Sequence, residues 1–310
     1  MPKLSIVIPV YYNQDNLVPL YNDIKEKIIG KADFEYELVM VDDGSGDNSW
    51  AVMRELAEKD ANIRLFKLSR NFGSHAAMLC GLANCSGDCA VIKAADLQEP
   101  TELILDMYHS WEKGNNVVLA VRKDREDKSF FASLYYWLTQ KVALPEMPHG
   151  GFDVFLLDRK VIQVLENLDE KNSAITGQIL WSGFKTEKLY YTRRAREIGK
   201  SRWTLKKKVR LVSDTLYSFS NLPITLVTVV GVGCCTGSVL WALIVLIGKL
   251  MGNIPVQGFT TLFIFQLFSF GVIMLTLGVL GNYIWRAFDA SRKRPVYIIE
   301  QDGEREERGS

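Results

Sequence analysis

Several polar side chains in this 310-residue chain stand where apolar runs stop, and their types define the chemistry open to it. The run Cys89–Ala95 ends at Asp96, with Gln98, Glu99 and Pro100 directly after. The run Tyr36–Val41 ends at Asp42 and Asp43. A buried parallel strand that stops at polar groups commonly forms one wall of a ligand crevice. A carboxylate and a carboxamide two residues apart suit a hard cation, Mg²⁺ or Mn²⁺, and the cation can hold a diphosphate. Without the cation, the carboxylate repels phosphate. Asp96 also admits a bland reading, because Asp-x-x-Glu is a capping box and Pro100 suits a first helical turn. Arg70, Arg122, Lys200 and Arg202 have the charge to neutralise a departing diphosphate, although any one arginine is more often a surface residue. Asp153 ends the stretch His149–Asp153, which predicts a flexible turn presenting a carboxylate.

The elements that must position these groups follow from hydrophobic spacing. Leu4–Val10, Tyr36–Val41, Ile63–Leu68, Cys89–Ala95 and Asn116–Val121 predict five buried strands. Apolar residues at helical spacing separate them, as in Leu17, Leu20, Tyr21, Ile24 and Ile28. Alternating strands and helices of this length mean right-handed βαβ units, hence an α/β, mostly parallel sheet. Polar residues cluster after each strand, which is the edge where such sheets bind ligands. No G-x-G-x-x-G follows the first strand, and no G-x-x-x-x-G-K-[ST] occurs. Dinucleotide redox chemistry and P-loop hydrolysis therefore fit poorly.

Net charge is +1, so no global basic field points to nucleic acid. Charge is local instead: Arg193–Arg210 holds nine Lys or Arg and one acid, Glu197. Beyond Gly199–Trp203 at its centre, Leu205, Val209, Val212, Leu216 and Phe219 trace one apolar helical stripe beside Lys206–Lys208 and Arg210, with Trp203 at its start. That pattern suits a membrane surface. Phe130, Phe131, Tyr135, Tyr136 and Trp137 mark a second aromatic segment, either a helix packed on the sheet or an interfacial one. Five cysteines without paired spacing, and no signal peptide, argue for free thiols in a reducing compartment.

Leu222–Ile247 and Leu250–Trp285 carry no charge. A bilayer core of ~30 Å needs roughly 20 apolar residues in a helix, so two transmembrane helices are expected. Both outer flanks are basic and the loop between holds one lysine, Lys249. The positive-inside rule then puts both termini and the α/β domain in the cytoplasm. Glycines in the spans (Gly231, Gly233, Gly237, Gly271, Gly278, Gly281) allow close helix packing, and a homo-oligomer is expected. The predicted units are residues 1–200, an interfacial helix over 201–221, spans over 222–248 and 258–285, and a tail over 286–310, disordered beyond Gln301.

The ordered set SIVIPVYYNQDNL, VDDGSGDNS, LSRNFG, AADLQEPTEL, GGFDVFLLDRKV and GKSRWTL, followed by two apolar spans, resembles the family 2 glycosyltransferases of GT-A fold. It resembles most the polyisoprenyl-phosphate glycosyltransferases related to dolichol-phosphate mannose synthase, over residues 4–298. The resemblance implies a Rossmann-like sheet with helices on both faces, then interfacial and transmembrane helices. It implies inverting transfer of a hexose from a nucleotide sugar, UDP-linked by preference, to polyprenyl phosphate. By the same resemblance, Pro9, Tyr11 and Asn13 form the first nucleotide loop, with Asn13 where Glu is usual. Asp42 and Asp43 read base and ribose; Arg70 and Arg122 are placed in the nucleotide-sugar site on their charge rather than on the resemblance. Asp96 and Gln98 are the implied ligands of Mg²⁺ or Mn²⁺; Ala94 stands where the first Asp of Asp-x-Asp is usual. Asp153, catalytic with Asp96, faces the acceptor, and Lys200, Arg202 and Trp203 serve diphosphate and lipid phosphate. Two alternatives are a glycosyltransferase with another lipid or polysaccharide acceptor, and a non-catalytic scaffold that binds nucleotide sugar.

Overall fold

Apolar residues without alternation in Leu4–Val10 require cover on both faces. In the computed structural model they form the strand β1 (Lys3–Val10) at the centre of the molecule. The structure describes residues 1–31, 33–123, 137, 139–141, 143–148, 151–168, 170, 173–193, 212, 214–251 and 258–303. The predicted interfacial helix over 201–221 and the aromatic segment fall largely outside them, as do Lys200, Arg202 and Trp203.

After β1 come α1 (Gln14–Lys27), β2 (Glu35–Asp42), α2 (Ser49–Ala57), β3 (Ile63–Leu68), α3 (Ser74–Asn84), β4 (Cys89–Ile92), α4 (Leu103–Glu112) and β5 (Val117–Arg122). Then follow β6 (Phe152–Asp158), α5 (Arg159–Glu166), α6 (Ile175–Trp181), β7 (Thr186–Tyr191), the long helices α7 (Leu222–Leu250) and α8 (Phe259–Ser291), and β8 (Ile299–Asp302). One sheet of eight strands has the order β7-β5-β6-β4-β1-β2-β3-β8. β6 and β8 run antiparallel to their neighbours, and the other pairs are parallel.

Side chains alternate between the faces of each strand, and both faces are buried. Leu4, Ile6 and Ile8 join Leu38 and Met40 under α1, α2 and α4. Val7, Val39 and Val41 face the other way, under α3, α5 and α6. α3 lies so close to β1 that a Cβ on Gly81 would stand 2.2 Å from Val7 Cγ1.

α7 and α8 contain the apolar stretches Leu222–Trp241 and Phe265–Ser291, each with mean hydropathy 1.8 and none of it buried. Each helix exceeds the ~30 Å bilayer core at 1.5 Å per residue. Residues 214–219 are helical and are tied to the end of α8. Arg286 donates to Asp214 Oδ1 at 2.7 Å and Ser218 Oγ at 3.2 Å, and its guanidinium lies over the Tyr217 ring at 5.1 Å.

Past α8 the chain returns to the sheet. Lys67 pairs with Gln301, Ser69 N–H donates to Ile298 O at 3.0 Å, and Val296 and Tyr297 pack on the core of the α3 face. The tail thus holds an edge strand, which the sequence reading did not foresee. Only four residues long, it is specified by a partner more than 200 residues earlier, not by a pattern of its own.

Candidate active site

β1 lies between β2 and β4, so the strand order reverses there, and open α/β sheets bind ligands at the carboxyl ends beside such a point. Two features open the crevice. β4 is only four residues long, and its last bond to β1 is Lys93 N–H to Val7 O, 2.9 Å. The next residue of β1 that faces β4 is Pro9, which has no N–H to offer.

The first loop is held by its neighbour. Tyr12 has φ 55° and donates its N–H to Ser45 Oγ at 2.9 Å. Tyr11 meets the Tyr12 ring edge-on, with centroids 4.8 Å apart. Asn13 N–H donates to Ser49 Oγ at 3.0 Å, and its side-chain amide donates to Tyr11 O at 3.2 Å.

Asp42 and Asp43 divide their work. Asp43 accepts Phe72 N–H at 2.7 Å and Gly73 N–H at 2.9 Å, one on each oxygen, which locks the loop after β3 to the loop after β2. Gly44, at φ +66°, permits this contact: a Cβ there would lie 2.6 Å from the Arg70 carbonyl carbon. Arg70 is exposed, its guanidinium 4.1 Å over the Phe72 ring. Asp42 is fully buried and accepts Ser45 N–H at 3.1 Å on Oδ1, while Oδ2 has no hydrogen-bond partner among the described residues. Burial raises its pKa above the usual carboxylate range.

Asp96 accepts Gln98 N–H at 3.3 Å around Leu97, itself at φ 57°. α4 begins only at Leu103, with Glu102 at its cap position, so Asp96 shapes a turn and does not cap that helix. Beneath the turn, Lys93 and Glu99 are 1% and 2% exposed. Lys93 Nζ donates to Glu99 O at 2.6 Å and lies 3.7 Å from Oε2. Burial lowers the lysine's pKa and raises the glutamate's, each resisted by the other's charge. Arg193, two residues past β7, reaches both carboxylates, 3.7 Å from Asp96 Oδ2 and 3.5 Å from Glu99 Oε1.

Asp153 occupies the second position of β6, not the turn expected from the sequence. Ala120 pairs with Val154, but Val121 pairs with Phe152, so Asp153 is the extra residue of a bulge. The bulge turns its side chain outward, 61% exposed, into an ion pair with Arg122. Arg122 Nε also donates to the Tyr191 hydroxyl at 3.4 Å. The edge of the sheet thus gathers Asp96, Gln98, Arg122 and Asp153. Asp42, Asp43, Arg70, Tyr11 and Asn13 lie at the neighbouring ends of β1, β2 and β3. Lys93, Tyr191 and Arg193 also join the site, as does Glu99, to which the sequence assigns no role in it; Arg193 stands in the sequence only as one base of the run that suits a membrane surface.

Among the described residues no group of three His, Cys, Asp or Glu could cage a cation. Asp96 and Gln98 offer hard oxygen donors, and Mg²⁺ characteristically takes one or two carboxylates with substrate phosphates and water. The donor set therefore fits a divalent cation that is shared with a diphosphate.

A mostly parallel, three-layer α/β domain with charged side chains at its switch point is continued by two exposed apolar helices long enough to cross a membrane. The chain belongs to glycosyl transferase family 2, whose model matches residues 5–220, and is a glycosyltransferase of GT-A fold. It is 36% identical over 303 residues to the uncharacterized glycosyltransferase YkcC of Bacillus subtilis (strain 168), covering 96% of this chain and 94% of that one. It is 32% identical over 304 residues to the bactoprenol glucosyl transferase of Shigella phage SfV, covering 97% and 99%. A solved mannosyltransferase from Pyrobaculum calidifontis, PcManGT, overlays with a TM-score of 0.46 at 15% identity, over 89% of this chain and 87% of that chain.

Proposed function

We propose that this enzyme transfers a hexose, with inversion, from a nucleotide sugar to polyprenyl phosphate at the cytoplasmic face of the inner (plasma) membrane. The observation that carries the reading is the match to a relative named for bactoprenol glucosyl transfer, which spans the catalytic domain and both apolar helices. The product is a lipid-linked sugar for cell-surface glycans.

The crevice supplies a role for each group. Asp42, whose Oδ2 has no hydrogen-bond partner among the described residues, is assigned to the imide N–H of a uracil, which favours a UDP-hexose. Asp43 holds the loop that brings Arg70 and Phe72 beside it. Asp96 and Gln98 would hold Mg²⁺ or Mn²⁺, which neutralises the diphosphate when bound. Lys200, Arg202 and Trp203 are assigned to the diphosphate and the lipid phosphate. Arg122 orients the acceptor phosphate, and Asp153 fixes Arg122.

The acceptor is a phosphate monoester whose second pKa, by analogy with phosphoserine, is about 6. It reaches the site already ionised at neutral pH. Its oxygen attacks the anomeric carbon, the bond from that carbon to the diphosphate breaks, and the nucleoside diphosphate departs with the electron pair. No proton needs to be removed, so Asp153 positions more than it deprotonates.

Strand β8 supports the topology. It follows both long helices yet pairs with β3, so if both helices cross the bilayer, both ends of the pair lie on the catalytic side. The basic flanks make that side cytoplasmic. Among the described residues nothing lies within 4 Å of where a Cβ would stand on Gly231, Gly233, Gly237, Gly271, Gly278 or Gly281, which leaves these faces free to pack on a second copy. The test of the donor is nucleoside diphosphate release from a panel of UDP- and GDP-hexoses, with and without undecaprenyl phosphate. Release from one UDP-hexose that requires the lipid is expected; release indifferent to the lipid would overturn the acceptor.

A further inference from the structure

Arg193 sits where the chemistry of the crevice least expects a cation. Its Nη2 is 3.7 Å from Asp96 Oδ2 and 3.5 Å from Glu99 Oε1, so it bridges the two carboxylates of the turn after β4. Its side chain is 27% exposed, and its Nε is buried without a hydrogen-bond partner among the described residues. Glu99 already has Lys93 at 3.7 Å on its other oxygen. Asp96 is the more exposed of the two carboxylates, with a side chain 15% exposed against 1% for Glu99. Ala94 contributes no second carboxylate to this turn.

We infer that Arg193 is an internal counter-cation of the donor site, a placeholder that occupies the cation side of Asp96 until nucleoside diphosphate and metal arrive together. This rests on the donor reading above. A guanidinium and a divalent ion cannot both sit against one carboxylate without mutual repulsion, which at such distances and partial burial is strong. A diphosphate resolves the conflict. It offers oxygens to the metal and a bidentate partner to the displaced guanidinium. Metal and nucleotide should therefore bind synergistically, each raising the affinity for the other by the same factor. A site with only one protein carboxylate for the metal would otherwise hold the ion poorly, and the placeholder makes that weakness a condition for donor binding.

The test is Mn²⁺ binding to the purified full chain in detergent, read by the electron paramagnetic resonance of the free ion, with and without UDP. In the unaltered enzyme Mn²⁺ alone binds weakly and UDP tightens it. Arg193→Gln is expected to tighten Mn²⁺ alone by about tenfold and to shrink the UDP-induced gain by at least about fivefold, because the competing charge is gone. Arg193→Lys, which keeps the charge, is expected to hold Mn²⁺ alone within about threefold of the unaltered enzyme. In an Asp96→Asn background the tightening produced by Arg193→Gln should disappear, because the carboxylate for which the arginine and the metal compete is gone. Unchanged Mn²⁺ affinity in Arg193→Gln, or Arg193→Lys behaving like Arg193→Gln, would overturn the inference. If neither UDP nor GDP binds the unaltered enzyme, the donor reading fails instead, and the Mn²⁺-only comparison still decides the role of Arg193.

Discussion

Asp153 and Asp96 do different work at the residue scale, and substitution separates them. Asp153→Asn leaves Arg122 without its carboxylate but removes no group that must take a proton. Its expected effect in steady-state kinetics at neutral pH is a higher KM for the lipid acceptor and a fall in kcat of about tenfold or less. A general base would show a fall of about 10²–10⁴-fold. Ala94→Asp adds a second carboxylate to the turn and is expected to tighten Mn²⁺ without nucleotide by about tenfold, measurable by titration calorimetry. Asp42, Asp43, Asp96 and Gln98 were legible in the sequence because each follows an apolar run that stops without a Gly-rich signal. Arg193 and Glu99 were not, because an ion pair between residues 94 positions apart leaves no local pattern. Asp153 was legible as a carboxylate but not as a strand residue. A bulge is set by pairing with β5, which no spacing within residues 149–153 records.

The elements β1 to β5 were legible from apolar runs alone, since strands buried on both faces are nearly continuous in Val, Ile and Leu. β6 begins inside a stretch whose sequence predicts a turn, β7 is mostly exposed or half-buried and has no apolar run, and β8 has too few residues to signal itself. What holds the elements in place can be tested away from the crevice. Gly81→Ala would drive a methyl group into Val7 where α3 crosses β1, and is expected to cost about 1–3 kcal/mol of stability, read from chemical denaturation in detergent. Glu37 of β2 is buried at the opposite edge of the sheet from the crevice. Burial alone would raise its pKa, but donors override that: Ser5 Oγ at 2.6 Å, Ser86 Oγ at 2.8 Å and the Ser86 amide bring it down to about 2. A depressed folded value means that this stabilisation is complete above the unfolded pKa of about 4.3 and is lost as pH falls from there towards 2. The gap in Tm between the unaltered protein and Glu37→Gln is therefore expected to be wide at pH 6–7 and to close across that window.

The whole molecule is a sheet whose last strand follows the two long apolar helices. β8 packs beside β3, and β3 leads into the loop that Asp43 holds, so the strand that follows the apolar helices and the loop at Asp43 share one part of the sheet. Cysteine accessibility checks the arrangement in intact cells. Met251→Cys, between the two helices, is expected to react with an impermeant maleimide from outside, whereas Glu58→Cys on the catalytic domain should react only after permeabilisation. The reverse pattern would invert the topology. The most direct measurement is transfer of labelled hexose to undecaprenyl phosphate by the purified chain with Mg²⁺ or Mn²⁺ across a panel of UDP- and GDP-sugars. A lipid-soluble, acid-labile product from one UDP-hexose, its anomeric configuration inverted relative to the donor, is the expected result. Nucleotide binding without any lipid-linked product from any donor would contradict polyprenyl-phosphate glycosyl transfer.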